Sequence, residues 1–187
     1  MGAYVVVVFI RPVRAGHTFP RSDWPLHITL ARFDSKEPAD GVGERIGRAF
    51  AGLLEFDVRT GADDFFGRNH SVPVSLLEPH PQLQLLHDRL LDALGTDVHL
   101  LSPQHARQNF RPHISHQAEG RLQPGEVVRV EQAALVDMRP DGDSKHRRVL
   151  AVWNLAGSQG TAPKTPSTAP EVGPAQGMAP RNSPYSP

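Results

Sequence analysis

Two short segments of this 187-residue chain carry residue types suited to moving protons: His27-Ile28-Thr29-Leu30 and His113-Ile114-Ser115-His116. Each is flanked by a proline, Pro25 or Pro112, and each lies in a run whose composition predicts a β-strand. Side chains alternate faces along a strand, so His27 and Thr29 share one face with Ile28 and Leu30 behind them. The same parity joins His113 to Ser115 and puts Ile114 at their back. Two imidazoles of ordinary pKa about 6.5 suit paired acid–base work near neutrality. One takes a proton from an attacking oxygen while the other gives one to a leaving oxygen, as cleavage of a phosphodiester requires. The hydroxyls of Thr29 and Ser115 would donate to the non-bridging oxygens. No metal or other cofactor is needed for this chemistry. Arg111 precedes His113 by two residues and shares its face, which makes it the best placed of Arg11, Arg32, Arg111, Arg147 and Arg148 to hold a phosphate. Trp24, Phe110 and Trp153 are candidates to stack a base, with a place in the core as the plainer alternative.

The bare pattern His-x-Thr/Ser carries modest weight, because with ten histidines roughly one copy arises by chance. The context adds to it. Strands are predicted at Tyr4 to Ile10, Leu26 to Phe33, Phe56 to Phe66, Val72 to Leu77, Phe110 to Gln117, Val127 to Met138 and Arg147 to Leu155. Val42, Ile46, Phe50 and Leu53 recur at helical spacing behind a candidate N-cap at Asp40. Leu83, Leu86, Leu90 and Leu94 form a second amphipathic helix closed by Gly95. Strands and helices thus fall into two similar sets, each with one histidine strand. Successive strands without an intervening helix point to an α+β fold with antiparallel pairing.

Composition narrows the function classes. The chain lacks cysteine, which removes disulfides and cysteine-ligated metal sites. His113 and His116 form an HxxH, but residues three apart on a strand face opposite ways, so no metal site is expected there. His80, His87, His99 and His105 read as surface residues. Formal net charge is zero, which argues against coating long nucleic acid and leaves room for a pocket that grips one or two phosphates. Arginine outnumbers lysine 17 to 3, and guanidinium is the better bidentate phosphate ligand. The apolar run Ala3 to Ile10 is too short to span a bilayer and lacks preceding basic residues, so no membrane segment is expected and a cytoplasmic location is the default. The folded part is expected over 2–156, followed by a disordered Pro/Ala/Ser/Thr-rich tail over 157–187.

The segments Trp24-Pro-Leu-His-Ile-Thr-Leu and Phe110-Arg-Pro-His-Ile-Ser resemble the paired signatures of the two-histidine (2H) phosphoesterase superfamily, which includes the 2′-5′ RNA ligase-like proteins. The 86-residue separation of the histidines and the order of elements suit that family too. The resemblance implies a bilobal fold: two pseudo-duplicated antiparallel sheets, flanked by helices, around a central cleft where the histidine strands lie side by side. It implies hydrolysis of a cyclic or 2′-5′ phosphodiester, with an RNA or nucleoside 2′,3′-cyclic phosphate as the leading substrate. Ser115 departs from the family's threonine but keeps the hydroxyl. His116 stands where an apolar residue is usual and, by parity, faces away from the cleft. Ala31 follows the first motif where many bacterial members have arginine, and Arg32 is shifted to the opposite face. A non-catalytic module holding a nucleotide or RNA end in the same cleft is the alternative, and a histidine-rich metal-dependent hydrolase is a third reading. The expected partner is a small RNA end or nucleotide; no obligate protein partner is expected, and the protein is expected to be a monomer.

Overall fold

The computed structural model describes residues 1–117 and 120–157, so the tail expected over 157–187 lies, from residue 158 on, outside the described residues. The described chain runs β1 (Gly2–Phe9), β2 (Thr18–Pro20), β3 (His27–Ser35), α1 (Ala39–Phe50), β4 (Phe56–Phe66), β5 (Val72–Leu77), α2 (Pro81–Leu94), β6 (Val98–Leu100), β7 (His113–Ser115), β8 (Val127–Val130), β9 (Gln132–Asp137) and β10 (His146–Asn154). The strands lie side by side in the order β2-β10-β9-β1-β3-β7-β5-β4-β8, with β6 against β3. Pairing between these strands is antiparallel. The architecture is α+β. One set of strands, β2-β10-β9-β1-β3, meets the other, β7-β5-β4-β8, at a single residue pair, Ile28↔Ile114. Among the described residues no helix is long and apolar enough to cross a membrane.

One core continues behind both halves. Val6 and Val8 of β1, Ile28, Leu30 and Phe33 of β3, Ile114 of β7 and Val128 of β8 pack with the inner faces of both helices. Those faces are Val42, Ile46 and Phe50 in α1, and Leu83, Leu86, Leu90 and Leu94 in α2, the positions that helical spacing selects. The other face of β1 buries Val5, Val7 and Phe9 in a smaller cluster with Phe19, Ala134, Val136 and Val149. Full burial of β1 on both sides explains its unbroken run of apolar residues.

Four local expectations need correcting. The run Val127 to Met138 is two strands, divided at Glu131: β8 pairs with β4, whereas β9 pairs with β1 and β10. A continuous apolar run does not reveal that the chain crosses from one half to the other there. The strand expected over Phe110 to Gln117 is only three residues long, because Pro112 cannot donate to the ladder. Helix α1 begins at Ala39 with Pro38 as its N-cap residue, so Asp40 sits in the first turn, where its charge complements the helix dipole.

The fourth correction concerns β3. Its register with β1 runs Val8↔Ile28, Val7↔Thr29, then Val6↔Ala31 and Val5↔Arg32, so Leu30 is an extra residue. Leu30 and Ala31 both turn into the main core as a result. This β-bulge resets the alternation, and Arg32, opposite Val5, faces the same side as Thr29, opposite Val7. The opposite-face placement expected for Arg32 holds only for an unbroken strand.

Candidate active site

Because Ile28 and Ile114 are paired antiparallel, His27 stands across from Ser115 and Thr29 across from His113. The two imidazoles therefore occupy a diagonal of one sheet face, and the two hydroxyls the other. Diagonal neighbours in an antiparallel pair lie roughly 7–8 Å apart, with their β-carbons somewhat closer, so ring side chains on such a diagonal are within reach of one another. The back face of the joint is Ile28 and Ile114, both 0% exposed.

Each imidazole is oriented in the same way. Nδ1 of His27 donates to the Pro25 carbonyl at 2.7 Å, and Nδ1 of His113 to the Arg111 carbonyl at 2.8 Å. A carbonyl only accepts, so the proton of each neutral ring is on Nδ1 and the Nε2 lone pair is left to react. His27 is packed between Trp24, with ring centroids 4.6 Å apart, and Phe9, at 6.0 Å. Burial pushes its pKa down to about 4; the Pro25 carbonyl opposes this, and the nearby His113 adds to it. The pKa of His113, set edge-on against Phe66 at 4.5 Å, is lowered by burial and further by the Arg111 and His105 charges, while the Arg111 carbonyl opposes the shift.

A cleft of about 620 Å³ opens on this face, walled by Thr29, Arg32, Phe66, Arg111, His113 and Ser115. His27 packs beside that wall and is not part of it. The guanidinium of Arg111 pairs with Asp64 at 3.1 Å and lies 4.8 Å from the centre of the Phe66 ring. It thereby ties the β4–β5 hairpin to the His113 strand. Arg148 is paired with Asp141, and Arg147 is buried near Trp24. Trp24 covers His27, Phe110 stacks on His87, and Trp153 packs edge-on against Phe50, so each aromatic candidate already has an intramolecular ring partner. His116 is absent from the cleft wall. Its Nε2 lies 2.9 Å from the Ser75 hydroxyl and 3.6 Å from Asp63. Among the described residues, no three His, Cys, Asp or Glu side chains group to hold a metal ion.

His87 is buried, 2% exposed, and not the surface residue expected. Its Nδ1 donates to the carbonyl of Leu30, the bulge residue, at 2.9 Å, and its Nε2 accepts the Arg107 backbone N–H at 2.9 Å. Its ring stacks flat on Phe110 at 4.0 Å. One side chain thus caps the bulge that turns Arg32 and braces the segment that leads to Arg111 and His113. The signal was present in the sequence: residue 87 falls on the apolar face of the helix, four residues after Leu83 and three before Leu90. Replacing His87 with Leu should leave two buried backbone groups unpaired and destabilise the fold by about 2 to 4 kcal/mol. Thermal melting would register this as a drop of roughly 5 to 15 °C. His87→Gln, which can both donate and accept, should recover part of it. An unchanged melting temperature in the leucine variant would refute the bracing role.

The sequence profile of the 2′-5′ RNA ligase superfamily matches residues 5–137. No curated protein sequence matches the chain. Among solved structures, E. coli LigT in complex with ATP superimposes with a TM-score of 0.52 at 18% identity, covering 82% of this chain and 97% of LigT. A crystallised phosphoesterase gives 0.51 at 18% identity, over 83% of this chain and 99% of that protein. A protein from Thermus thermophilus gives 0.50 at 20% identity, over 84% of this chain and 100% of that one. At such identities the likeness is one of fold.

Proposed function

Since the chain belongs to the 2′-5′ RNA ligase superfamily, we propose that it is a metal-independent phosphodiesterase that opens a cyclic or 2′-5′ phosphodiester, with an RNA or nucleoside 2′,3′-cyclic phosphate as the leading substrate. The observation that carries this reading is the Ile28↔Ile114 pair, which puts His27, Thr29, His113 and Ser115 on one sheet face, with Thr29, His113 and Ser115 in the wall of the cleft. In the hydrolytic direction, His27 Nε2 takes a proton from water as the water oxygen bonds to phosphorus. His113 Nε2 gives its proton to the departing ribose oxygen as that P–O bond breaks. The more deeply depressed pKa of His27 makes it the better candidate for the neutral partner. Thr29 and Ser115 donate to the non-bridging oxygens, whose charge shifts during the reaction. Arg111, at the rim, adds positive charge that Asp64 partly offsets.

The test is turnover of a panel of 2′,3′-cyclic nucleotides, RNAs ending in a 2′,3′-cyclic phosphate, 2′-5′ linked oligonucleotides and cyclic dinucleotides, with products identified by mass spectrometry. A monoester product from at least one is expected, with no loss of rate in EDTA. Tight binding without product from any of them would instead favour a nucleotide- or RNA-end-binding module. The pH dependence is part of the same prediction. The productive form carries one proton on the pair, and both pKa values are depressed in the free protein. The kcat/KM profile should therefore be a bell centred below pH 6.5, its acid limb near pH 4. The bound phosphodiester anion favours the imidazolium, so the alkaline limb of kcat should lie at higher pH than that of kcat/KM. A kcat/KM still rising above pH 7 would contradict the two-imidazole scheme.

A further inference from the structure

Behind the joint of the two histidine strands lies a polar cluster that the proposed reaction does not use. Ser75, 0% exposed, stands at its centre. Its hydroxyl lies 3.1 Å from Asp63 Oδ1, 3.1 Å from the Leu122 carbonyl and 2.9 Å from His116 Nε2. A hydroxyl has one proton, and the carboxylate and the carbonyl only accept. That proton goes to one of those two, so the bond to His116 is made by a proton on Nε2. The Asp63 carboxylate, 3.6 Å from the same nitrogen, favours the same arrangement. The tautomer is the reverse of that in His27 and His113, which hold the proton on Nδ1 and leave Nε2 to react. The cluster is not a second nucleophilic centre: its serine is closed to solvent, and its carboxylate meets the imidazole on the hydroxyl side and not behind it.

The backbone brings these groups together. Strand β4 pairs Thr60 with Leu77 and then Asp63 with Ser75, so one extra residue lies between. Without that bulge Ala62 would stand opposite Ser75. Ser75 is in turn opposite Ile114, so Asp63, Ser75 and Ile114 form a row across β4, β5 and β7. His116 has the parity of Ile114 and joins the row from the end of β7. The next residue of β4, Asp64, points the other way and pairs with Arg111 at 3.1 Å. Two adjacent acids thus grip the histidine strand from both faces, two residues before His113 and three after it.

Strand β7 depends on such ties. It has three residues and meets β3 at one residue pair. Its ladder to β5 is Leu76↔His113, Ser75↔Ile114 and Val74↔Ser115, and the His116 N–H adds a bond to the Pro73 carbonyl at 2.9 Å. The place of His113 and Ser115 relative to β3 is therefore set mostly from the β5 side. Through the Leu122 carbonyl and the Arg121–Asp63 pair at 3.4 Å, the same cluster holds the chain that follows β7.

We infer that Asp63, Ser75 and His116 are positioning residues that fix the His113 strand against the His27 strand from behind. This role rests on the reading under Proposed function and extends it to three residues absent from the cleft wall.

The test compares variants on the preferred cyclic phosphodiester. His116→Leu removes the donor and should lower kcat about tenfold with little change in KM, because a displaced imidazole weakens proton transfer more than substrate binding. His116→Gln offers an amide N–H in place of Nε2–H and should recover most of kcat. Ser75→Ala should match His116→Leu, and the two together should cost little more than either, since they act as one unit. An unchanged kcat in both single variants, a rise in KM alone, or equal losses in the leucine and glutamine variants would overturn the role. Melting curves accompany the kinetics, and if the leucine variant does not fold, Ser75→Ala decides. Should the unaltered protein turn over no phosphodiester, the proposed reaction fails and the role is read separately by NMR of the free protein. Ser75→Ala removes neither a ring nor a charge, so it should shift the Cε1–H resonance of His113 and leave that of His146, on β10, in place. An unmoved His113 resonance would overturn the role.

Discussion

Replacing His113 with alanine should lower kcat/KM on the preferred cyclic phosphodiester by about 10² to 10⁴, the usual contribution of one positioned acid or base. His27→Ala should cost as much. The double variant should cost little more than either single one, because the two imidazoles act on one phosphate in one step and lose their joint effect together. The rings also pack, His27 on Trp24 and Phe9 and His113 on Phe66, so melting curves belong beside the kinetics. His27→Asn and His113→Asn supply a second pair that keeps a polar side chain in place. A variant that retained full turnover at either position would remove the two-histidine mechanism. Loss of turnover accompanied by loss of the melting transition would pass the decision to the asparagine variants.

Thr29→Val and Ser115→Ala should each reduce kcat by about 10² to 10³, the range seen when one preorganised donor to a charged transition state is removed. Valine preserves the shape of threonine, and strand β3 favours a β-branched residue, so the fold should tolerate the first change. Both hydroxyls lie on the diagonal opposite the imidazoles, and each should matter to kcat more than to KM if it bonds more strongly to the transition state than to the bound substrate. A rise in KM at constant kcat would reassign these hydroxyls to plain substrate binding. The bell-shaped pH profile should survive in both variants, since neither removes a titrating group. This separates them from the histidine variants, where one limb should disappear.

The motif histidines and their partners are readable because strand alternation is a local rule. His27 with Thr29 and His113 with Ser115 need only two residues of regular backbone to share a face, and both segments provide it. The helices are readable for a similar reason: Leu83, Leu86, Leu90 and Leu94 repeat at a spacing that only one helical face satisfies, and that face is buried. His87 shows where attention to residue type misleads. A histidine among leucines reads as surface by its polarity, although its position on the helix puts it inside.

Arg32 marks the limit of local reasoning. Its side is set by a one-residue bulge, and that bulge exists because β1 pairs with β3 in a particular register and His87, from a helix 57 residues away, takes the carbonyl of Leu30. The strand break at Glu131 is of the same kind, since the two halves of one apolar run find partners in different parts of the sheet. So the chemistry on offer, two imidazoles each with a hydroxyl beside it, was written in the order of residues. Their meeting across Ile28↔Ile114 and the turning of Arg32 into the cleft came only with long-range pairing. Alternation is enforced within a few bonds of backbone, whereas register and bulges are chosen by contacts between segments that the sequence keeps far apart.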